Sequence, residues 1–317
     1  MNDYQSALHP AGPFADRLGS LWEIFLFTTG TVWLLVLLFL ALAVWRGSRR
    51  TEPDNSEEGT RISTRWVSGA LVLSTLILFA LLGASVAAGR AVTPNEADVA
   101  TREIRVNGHQ WWWEFQYTNP RADRIVTTAN ELHLPAGERI RLVLRSSDVI
   151  HSFWIPNLHG KHDLIPGKTV NFVIQADRPG LYRAQCAEFC GLQHARMGFI
   201  VVVEPRAQFE KWYARQLLPA PIPKTADQQR GQTVFLGSTC VMCHTIKGTP
   251  AGARLGPDLT HIGSRLTIGA ATLPNTRGHR AGWIANAQSI KPGVLMPPSN
   301  LSPDDLNAVT IYLESLK

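Results

Sequence analysis

Cysteine is scarce in this chain: there are four in 317 residues, and all of them fall within Cys186-Ala-Glu-Phe-Cys190 and Cys240-Val-Met-Cys243. None is left over for a disulfide framework elsewhere. Methionine is as scarce, also four. Met1 starts the chain and Met242 sits inside the second cysteine pair, so Met197 and Met296 are the thioether donors that remain. Charge is missing altogether from Ile24 to Trp45 and from Trp66 to Ala88. Each run is about 20 residues, enough to cross a bilayer core as a helix. An acidic surplus is absent too: the net charge is +6, and basic residues outnumber acidic ones in both halves of the region after the second run. No basic stripe is interleaved with aromatics, which excludes nucleic acid as the partner. Internal repeats and low-complexity tracts are also lacking. A hydrophobic share of 45% with mean hydropathy of −0.04 fits membrane segments diluted by soluble domains.

The two apolar runs predict a transmembrane helical hairpin over residues 21–89, after an N-terminal tail of residues 1–20. Arg46, Arg49, Arg50, Arg61 and Arg65 lie between the runs, whereas the tail before Leu21 offers only Arg17. Positive charge stays on the cytoplasmic side, so both termini face outward. Ala41-Leu42-Ala43 resembles a signal-peptidase site, but cleavage there would export the arginine-rich loop, and a retained helix is the better reading. From Arg102 to Glu204 short alternating segments such as Arg139–Arg145 and Val170–Ile174 are broken at Asn119-Pro120, Pro135-Ala-Gly137, Pro166-Gly167 and Pro179-Gly180. That spacing predicts a small all-β barrel over residues 90–218. Residues 219–224, Pro-Ala-Pro-Ile-Pro-Lys, read as a stiff connector. A helical domain follows over residues 225–317, its last helix starting at Ser302-Pro303-Asp304-Asp305, with an N-cap serine, a first-turn proline and acidic residues at the positive helix end.

In the β-domain Cys186 and Cys190 are followed by His194 and Met197. Two thiolates, an imidazole and a thioether on one loop form a soft donor set that selects copper in an electron-transfer role. A mononuclear blue-copper site uses one cysteine; two can bridge a pair of coppers, each of which then needs its own histidine. His151, at the end of the expected strand Asp148–His151, is the candidate for the second. A disulfide would explain neither histidine nor Met197, and zinc has no use for a methionine. Cys240-Val-Met-Cys243-His244 has the form of covalent c-type haem attachment, two thioether bonds and a proximal histidine. Met296, in the loop Lys291-Pro-Gly-Val-Leu-Met-Pro-Pro298, is the expected second axial ligand, ahead of His261 and His279. His109, His159 and His162 read as barrel or loop residues without a ligand role.

Val106-Asn-Gly-His-Gln-Trp-Trp-Trp113, Asp148-Val-Ile-His-Ser-Phe-Trp-Ile-Pro156, Asp163-Leu-Ile-Pro-Gly167 and Cys186–Met197 resemble subunit II of the haem-copper cytochrome c oxidases, over residues 20 to about 215. Residues 225–317 resemble a class I cytochrome c, with Gly231, Phe235 and Leu255-Gly-Pro-Asp-Leu259 around the haem motif. The combination resembles the caa-type branch. The resemblance implies a cupredoxin-like Greek-key β-barrel carrying the dinuclear CuA centre, and an all-α class I cytochrome c domain. Cys186 and Cys190 would bridge the coppers, His151 and His194 would be terminal ligands, and Met197 and the Glu188 carbonyl weak axial ones. The Glu188 side chain would help hold a Mg2+ shared with subunit I. Trp111 matches the family's electron-entry residue; a barrel-closing aromatic is the equally good alternative. Trp112 and Trp113 read as structural.

These matches imply an electron-entry subunit of a proton-pumping terminal oxidase, passing electrons from cytochrome c or another donor through haem c and CuA to haem a in subunit I. Bond-making chemistry, O2 reduction included, would belong to another subunit. The expected setting is a bacterial inner membrane, with both redox domains on the periplasmic side and contacts to lipid, subunit I and other oxidase subunits. One alternative differs in partner, the electron-delivery subunit of a CuA-containing nitric oxide reductase, against which the Asp163–Gly167 loop and Glu188 speak; another differs in class, an anchored copper chaperone with Cys186 and Cys190 as a redox dithiol, which leaves His151, Met197 and the haem domain unexplained. Many family members carry a glutamate just before the second helix. Here Ile62-Ser-Thr-Arg65 stands there, with Glu57 and Glu58 further back, so proton loading by that route is not implied.

Overall fold

The computed structural model describes residues 3–49, 57–93 and 100–317, and the chain divides into two compact units. The described part of Asp16–Thr93 forms one. It holds most of helix α1 (Pro13–Gly47) and all of α2 (Glu57–Val92), of 35 and 36 residues. Both are longer than the uncharged runs that predicted them, because Arg46, Arg61 and Arg65 lie within the helical ends. At 1.5 Å per residue each is about 50 Å long, more than the ~30 Å of a bilayer core, so charged turns extend beyond the apolar stretch. Their apolar side chains are exposed almost throughout, Trp33, Leu34, Phe79 and Leu71 among them, as suits a lipid-facing surface. Arg50 lies outside the described residues.

The second unit takes in the short N-terminal segment up to Ala15 and everything after the hairpin. Ten strands follow in order: β1 (Arg102–His109), β2 (Trp112–Tyr117), β3 (Val126–Ala129), β4 (Glu131–Pro135), β5 (Arg139–Ser146), β6 (His151–Trp154), β7 (His162–Leu164), β8 (Val170–Gln175), β9 (Gly180–Cys186) and β10 (Gly198–Glu204). They form two five-stranded sheets, β3-β2-β1-β5-β8 and β4-β10-β9-β6-β7. The β1–β5 and β4–β10 pairs are parallel and the other pairs antiparallel. The expected barrel thus takes the form of a two-sheet sandwich. Alternation in β2 and β5 sends every second side chain inward, and the fully buried Trp113, Phe115, Phe153, Phe172 and Phe199 fill the middle. Phe199 lies 5.4, 5.3 and 5.0 Å from the rings of Trp113, Phe115 and Phe153.

From Gln5 onward the N-terminal residues are packed on the β-domain. Ala11 N–H donates to the Asn157 carbonyl at 2.7 Å, Asp177 N–H to the Ala11 carbonyl at 2.8 Å, and Phe14 packs on His159 with ring centres 4.9 Å apart. After β10, helix α3 (Arg206–Gln216) stacks Trp212 flat on His133 at 3.9 Å.

The C-terminal region contains α4 (Ala226–Leu236), a ribbon of β11 (Thr267–Ile268) and β12 (Leu273–Pro274), α5 (Arg277–Ala285), α6 (Ala287–Ile290) and α7 (Pro303–Ser315). The small ribbon is the one departure from an all-α domain. Helices α4 and α7 cross closely at Gly231, where an added Cβ would lie 2.1 Å from the Ala308 carbonyl oxygen, so only glycine fits. Phe235, Val309, Tyr312 and Leu313 make the core at that crossing. Ser302 caps α7 as its sequence predicted, accepting from Asp305 N–H at 3.2 Å. The connector packs against this domain, with Ala220 N–H donating to the Lys247 carbonyl at 2.8 Å.

Candidate metal centres

Strands β6, β9 and β10 converge at one end of the sandwich, and the loop between β9 and β10 folds back over them. Cys186 ends β9 and His151 opens β6. The sequence suggested the opposite end of a strand for His151. Asp148 is the reason: its carboxylate accepts from Val149 N–H at 2.7 Å and Gln110 N–H at 2.6 Å, which turns residues 148–150 out of the sheet. The same carboxylate holds His151 Nε2 at 2.8 Å. That fixes the ring with Nδ1 facing the Cys186 sulfur, 3.9 Å away. Gly108 permits the approach, since a Cβ there would come within 2.9 Å of the imidazole. Glycine 108 was not singled out in the sequence, because the crowding comes from a strand more than 40 residues away.

The remaining donors arrive on the loop. Cys186 and Cys190 Sγ stand 3.8 Å apart, far beyond a disulfide of about 2.05 Å. Cys190 Sγ lies 3.6 Å from His194 Nδ1 and 3.8 Å from Met197 Sδ. Cys186 Sγ lies 3.2 Å from the Glu188 carbonyl oxygen. His151, Cys186 and Cys190 alone already present three donor atoms within 4.8 Å of one another. Both cysteines, His151 and Met197 are buried, while His194 and Glu188 are half-buried. The hydrogen bond between the two thiols pulls Cys186 down to about 3 and, together with burial, pushes Cys190 up. One thiolate is therefore present at neutral pH, and thiolate is the form that binds a soft metal. Two sulfurs, two imidazole nitrogens, a thioether and a carbonyl, gathered in one cluster, fit a copper pair.

Around this cluster the tryptophans divide. Trp113 is fully buried against His151 and Phe153. Trp112 stacks on His109, with rings 4.2 Å apart and nearly parallel. Trp111 donates from Nε1 to the Cys190 carbonyl at 2.9 Å. The residue is only 8% exposed, its ring lying beside Gly191 of the copper loop and Gly293 of the C-terminal domain. His162 stacks on Phe172 at 3.9 Å and lies 3.2 Å from His159, both packing positions.

In the C-terminal domain Cys240 and Cys243 are unbridged and half-buried, on a short 3-10 turn after α4. His244 Nδ1 donates to the Pro257 carbonyl at 2.8 Å, which leaves Nε2 as the metal-binding nitrogen. Burial lowers its pKa, so the ring is the neutral species that ligates iron. His261 bonds instead to the Leu218 carbonyl at 3.2 Å and His279 to Thr276 at 2.9 Å. The apolar neighbours Met242, Leu255 and Leu295 are 66%, 75% and 85% exposed, apolar surface that haem attachment would cover. Met296 sits half-buried, its carbonyl accepting from Gln288 Nε2 at 2.9 Å.

Residues 120–204 match the family model for the periplasmic domain of cytochrome c oxidase subunit II, and residues 228–317 that for cytochrome c. The chain is 32% identical over 318 residues to the cytochrome c oxidase subunit 2 of Alkalihalophilus pseudofirmus, covering 98% of this chain and 91% of the relative. It is 28% identical over 333 residues to that of Bacillus subtilis, covering 99% and 92%. The periplasmic domain of subunit II of the Bradyrhizobium japonicum cytochrome oxidase, a solved structure, aligns with TM-score 0.34 at 28% identity, covering 37% of this chain and 93% of that one.

Proposed function

Since the chain belongs to the cytochrome c oxidase subunit II family and ends in a cytochrome c domain, we propose that it is the electron-entry subunit of a caa-type terminal oxidase. It receives electrons from a donor such as cytochrome c at haem c and passes them through dinuclear CuA to haem a of subunit I, where O2 reduction is coupled to proton pumping. The observation that carries this reading is the gathering of the Cys186, Cys190, His194 and Met197 donors and the Glu188 carbonyl of the β9–β10 loop with His151 of β6 in one cluster, in the same chain as a complete haem-attachment motif. When bound, both groups take up and release single electrons without making or breaking bonds in a substrate.

The chain's own residues supply position and insulation. Cys186, Cys190, His151, His194 and Met197 would hold the coppers, the thioether being a weak donor of the kind that tunes potential. Asp148 holds the His151 ring, fixing which nitrogen faces the metal. Cys240 and Cys243 would tether the haem, His244 and Met296 would hold its iron, and the Pro257 carbonyl orients His244. Trp111 stands between the copper loop and the cytochrome domain, which favours electron entry over mere packing. Glu188 is the candidate for a Mg2+ shared with subunit I. The helical hairpin anchors the subunit in the bacterial inner membrane, with N-terminus and redox domains on the periplasmic side.

Electron paramagnetic resonance and visible to near-infrared spectra of the purified, oxidised oxidase test this reading. A multi-line copper signal from one electron shared by two nuclei, beside a low-spin haem c with a methionine–iron band, is expected. A mononuclear copper signal, or haem without copper, would sink it and return attention to the chaperone.

A further inference from the structure

Lys291 is 1% exposed, and no carboxylate pairs with it among the described residues. Its Nζ donates to three backbone carbonyls: Trp111 at 3.0 Å, Arg196 at 2.8 Å and Gly269 at 3.2 Å. An ammonium has three protons, and all three are used. Burial pushes its pKa down to about 7, the mark of a cation whose desolvation is only partly repaid. The three acceptors belong to different places. Trp111 sits in the turn between β1 and β2, Arg196 lies between the ligands His194 and Met197, and Gly269 belongs to the cytochrome domain's own ribbon.

Other contacts cluster around this point. Gln193 Nε2 donates to the Pro292 carbonyl at 2.7 Å, the Arg196 guanidinium to the Ile290 carbonyl, and Gly198 N–H to the Ala270 carbonyl at 3.2 Å. Leu266 N–H donates to Glu131 at 2.8 Å, and Val294 packs into the sandwich core. A Cβ built on Gly293 would reach Leu192 at 2.9 Å and the Trp111 ring at 3.7 Å. So the segment that starts at Lys291 and carries Met296 lies directly on Trp111, which is itself bonded to the Cys190 carbonyl.

Resting on the function proposed above, we propose that Lys291 is a positioning residue for transfer between the domains: it locks the Met296 segment onto the Trp111 and Arg196 loops, so the cytochrome domain delivers from one fixed pose. One electron leaves the reduced haem and the copper centre gains it, with no proton or bond exchanged. Tunnelling between fixed centres depends steeply on their separation, and Lys291, on the loop that carries Met296, ties that loop to Trp111 and Arg196 on the copper side. A plain domain glue would stabilise the junction without governing this step.

The test uses the complete, metal-loaded oxidase. In the wild-type complex, pulsed dipolar resonance between oxidised haem c and copper should give one narrow distance; a broad distribution overturns the proposal whatever the variants do. In Lys291→Met, both metal spectra should persist while haem-to-copper transfer after photoreduction slows at least about tenfold and becomes viscosity-dependent. Trypsin should then cut after Lys224, in the loosened connector. Onward transfer from copper reduced directly should be unchanged, and Lys291→Arg should recover most of the rate. Transfer in Lys291→Met at the wild-type speed, indifferent to viscosity, would overturn the idea. If that variant fails to assemble, Lys291→Gln and the wild-type distance decide. Loss of the copper or haem signal from the wild type would instead count against the function itself.

Discussion

At the scale of single residues, the metal loop depends on side chains that never touch a metal. Asp148 is buried enough to push its pKa up, yet its hydrogen bonds from His151, Val149 and Gln110 hold it below the usual carboxylate range. Asp148→Ala should therefore weaken copper retention by about 10- to 100-fold, the usual cost of losing a ligand's supporting partner, as read by dialysis against a competing chelator. His133, away from that loop, shows the same balance of burial against hydrogen bonding. Burial works against its charged form, but Glu131 at 3.0 Å and Glu204 at 2.6 Å outweigh it and raise the pKa. A raised folded pKa means the stabilisation is fully present below the unfolded value of about 6.5 and is lost as pH rises through the folded one. His133→Asn should cost about 3 kcal/mol near pH 6, and thermal unfolding should show the gap to wild type narrowing at alkaline pH. Tyr117 and Arg265 face the same cluster, where burial raises the pKa of the phenol and lowers that of the guanidinium.

Among the elements, the cap of α7 was legible and the junctions were not. Ser302, Pro303 and the two aspartates announce α7, and the structure places the cap as expected. Ser302→Ala should lower stability by about 1 kcal/mol without moving either metal spectrum, checked by denaturant unfolding of the purified protein. Strands β5 and β8 were readable from alternation because one face of each meets the core. Strand β6 was not, since what decides its start is Asp148 bonding to Gln110, 38 residues away in sequence. The β11–β12 ribbon, two residues a side, is too short to leave any period in the sequence.

For the molecule as a whole, the connector of residues 219–224 is less a free tether than a strap packed on the cytochrome domain. A tethered haem has an effective concentration on the order of millimolar at the copper site even when mobile; docking removes the search entirely. Neither route needs an acidic capture surface, and none is evident from the charge balance. Turnover with a basic soluble cytochrome c should accordingly change by no more than about threefold between 10 and 150 mM salt, where the screening length falls from roughly 30 to 8 Å. A steep decline in steady-state rate would show that strong charge steering brings the donor in.

The sequence by itself determined the membrane hairpin, the donor types and both cysteine motifs, because hydrophobic length and ligand spacing are local properties of the chain. It also offered His151 and Met296 as candidate donors, since each metal needed a further donor and few residues could supply one. Only the tertiary structure decided that Trp111 is covered, that Gly108 must be glycine, and that Lys291 stitches two loops to a third. Those facts depend on backbone carbonyls and close approaches between segments as much as 180 residues apart, and a carbonyl has no letter in the sequence.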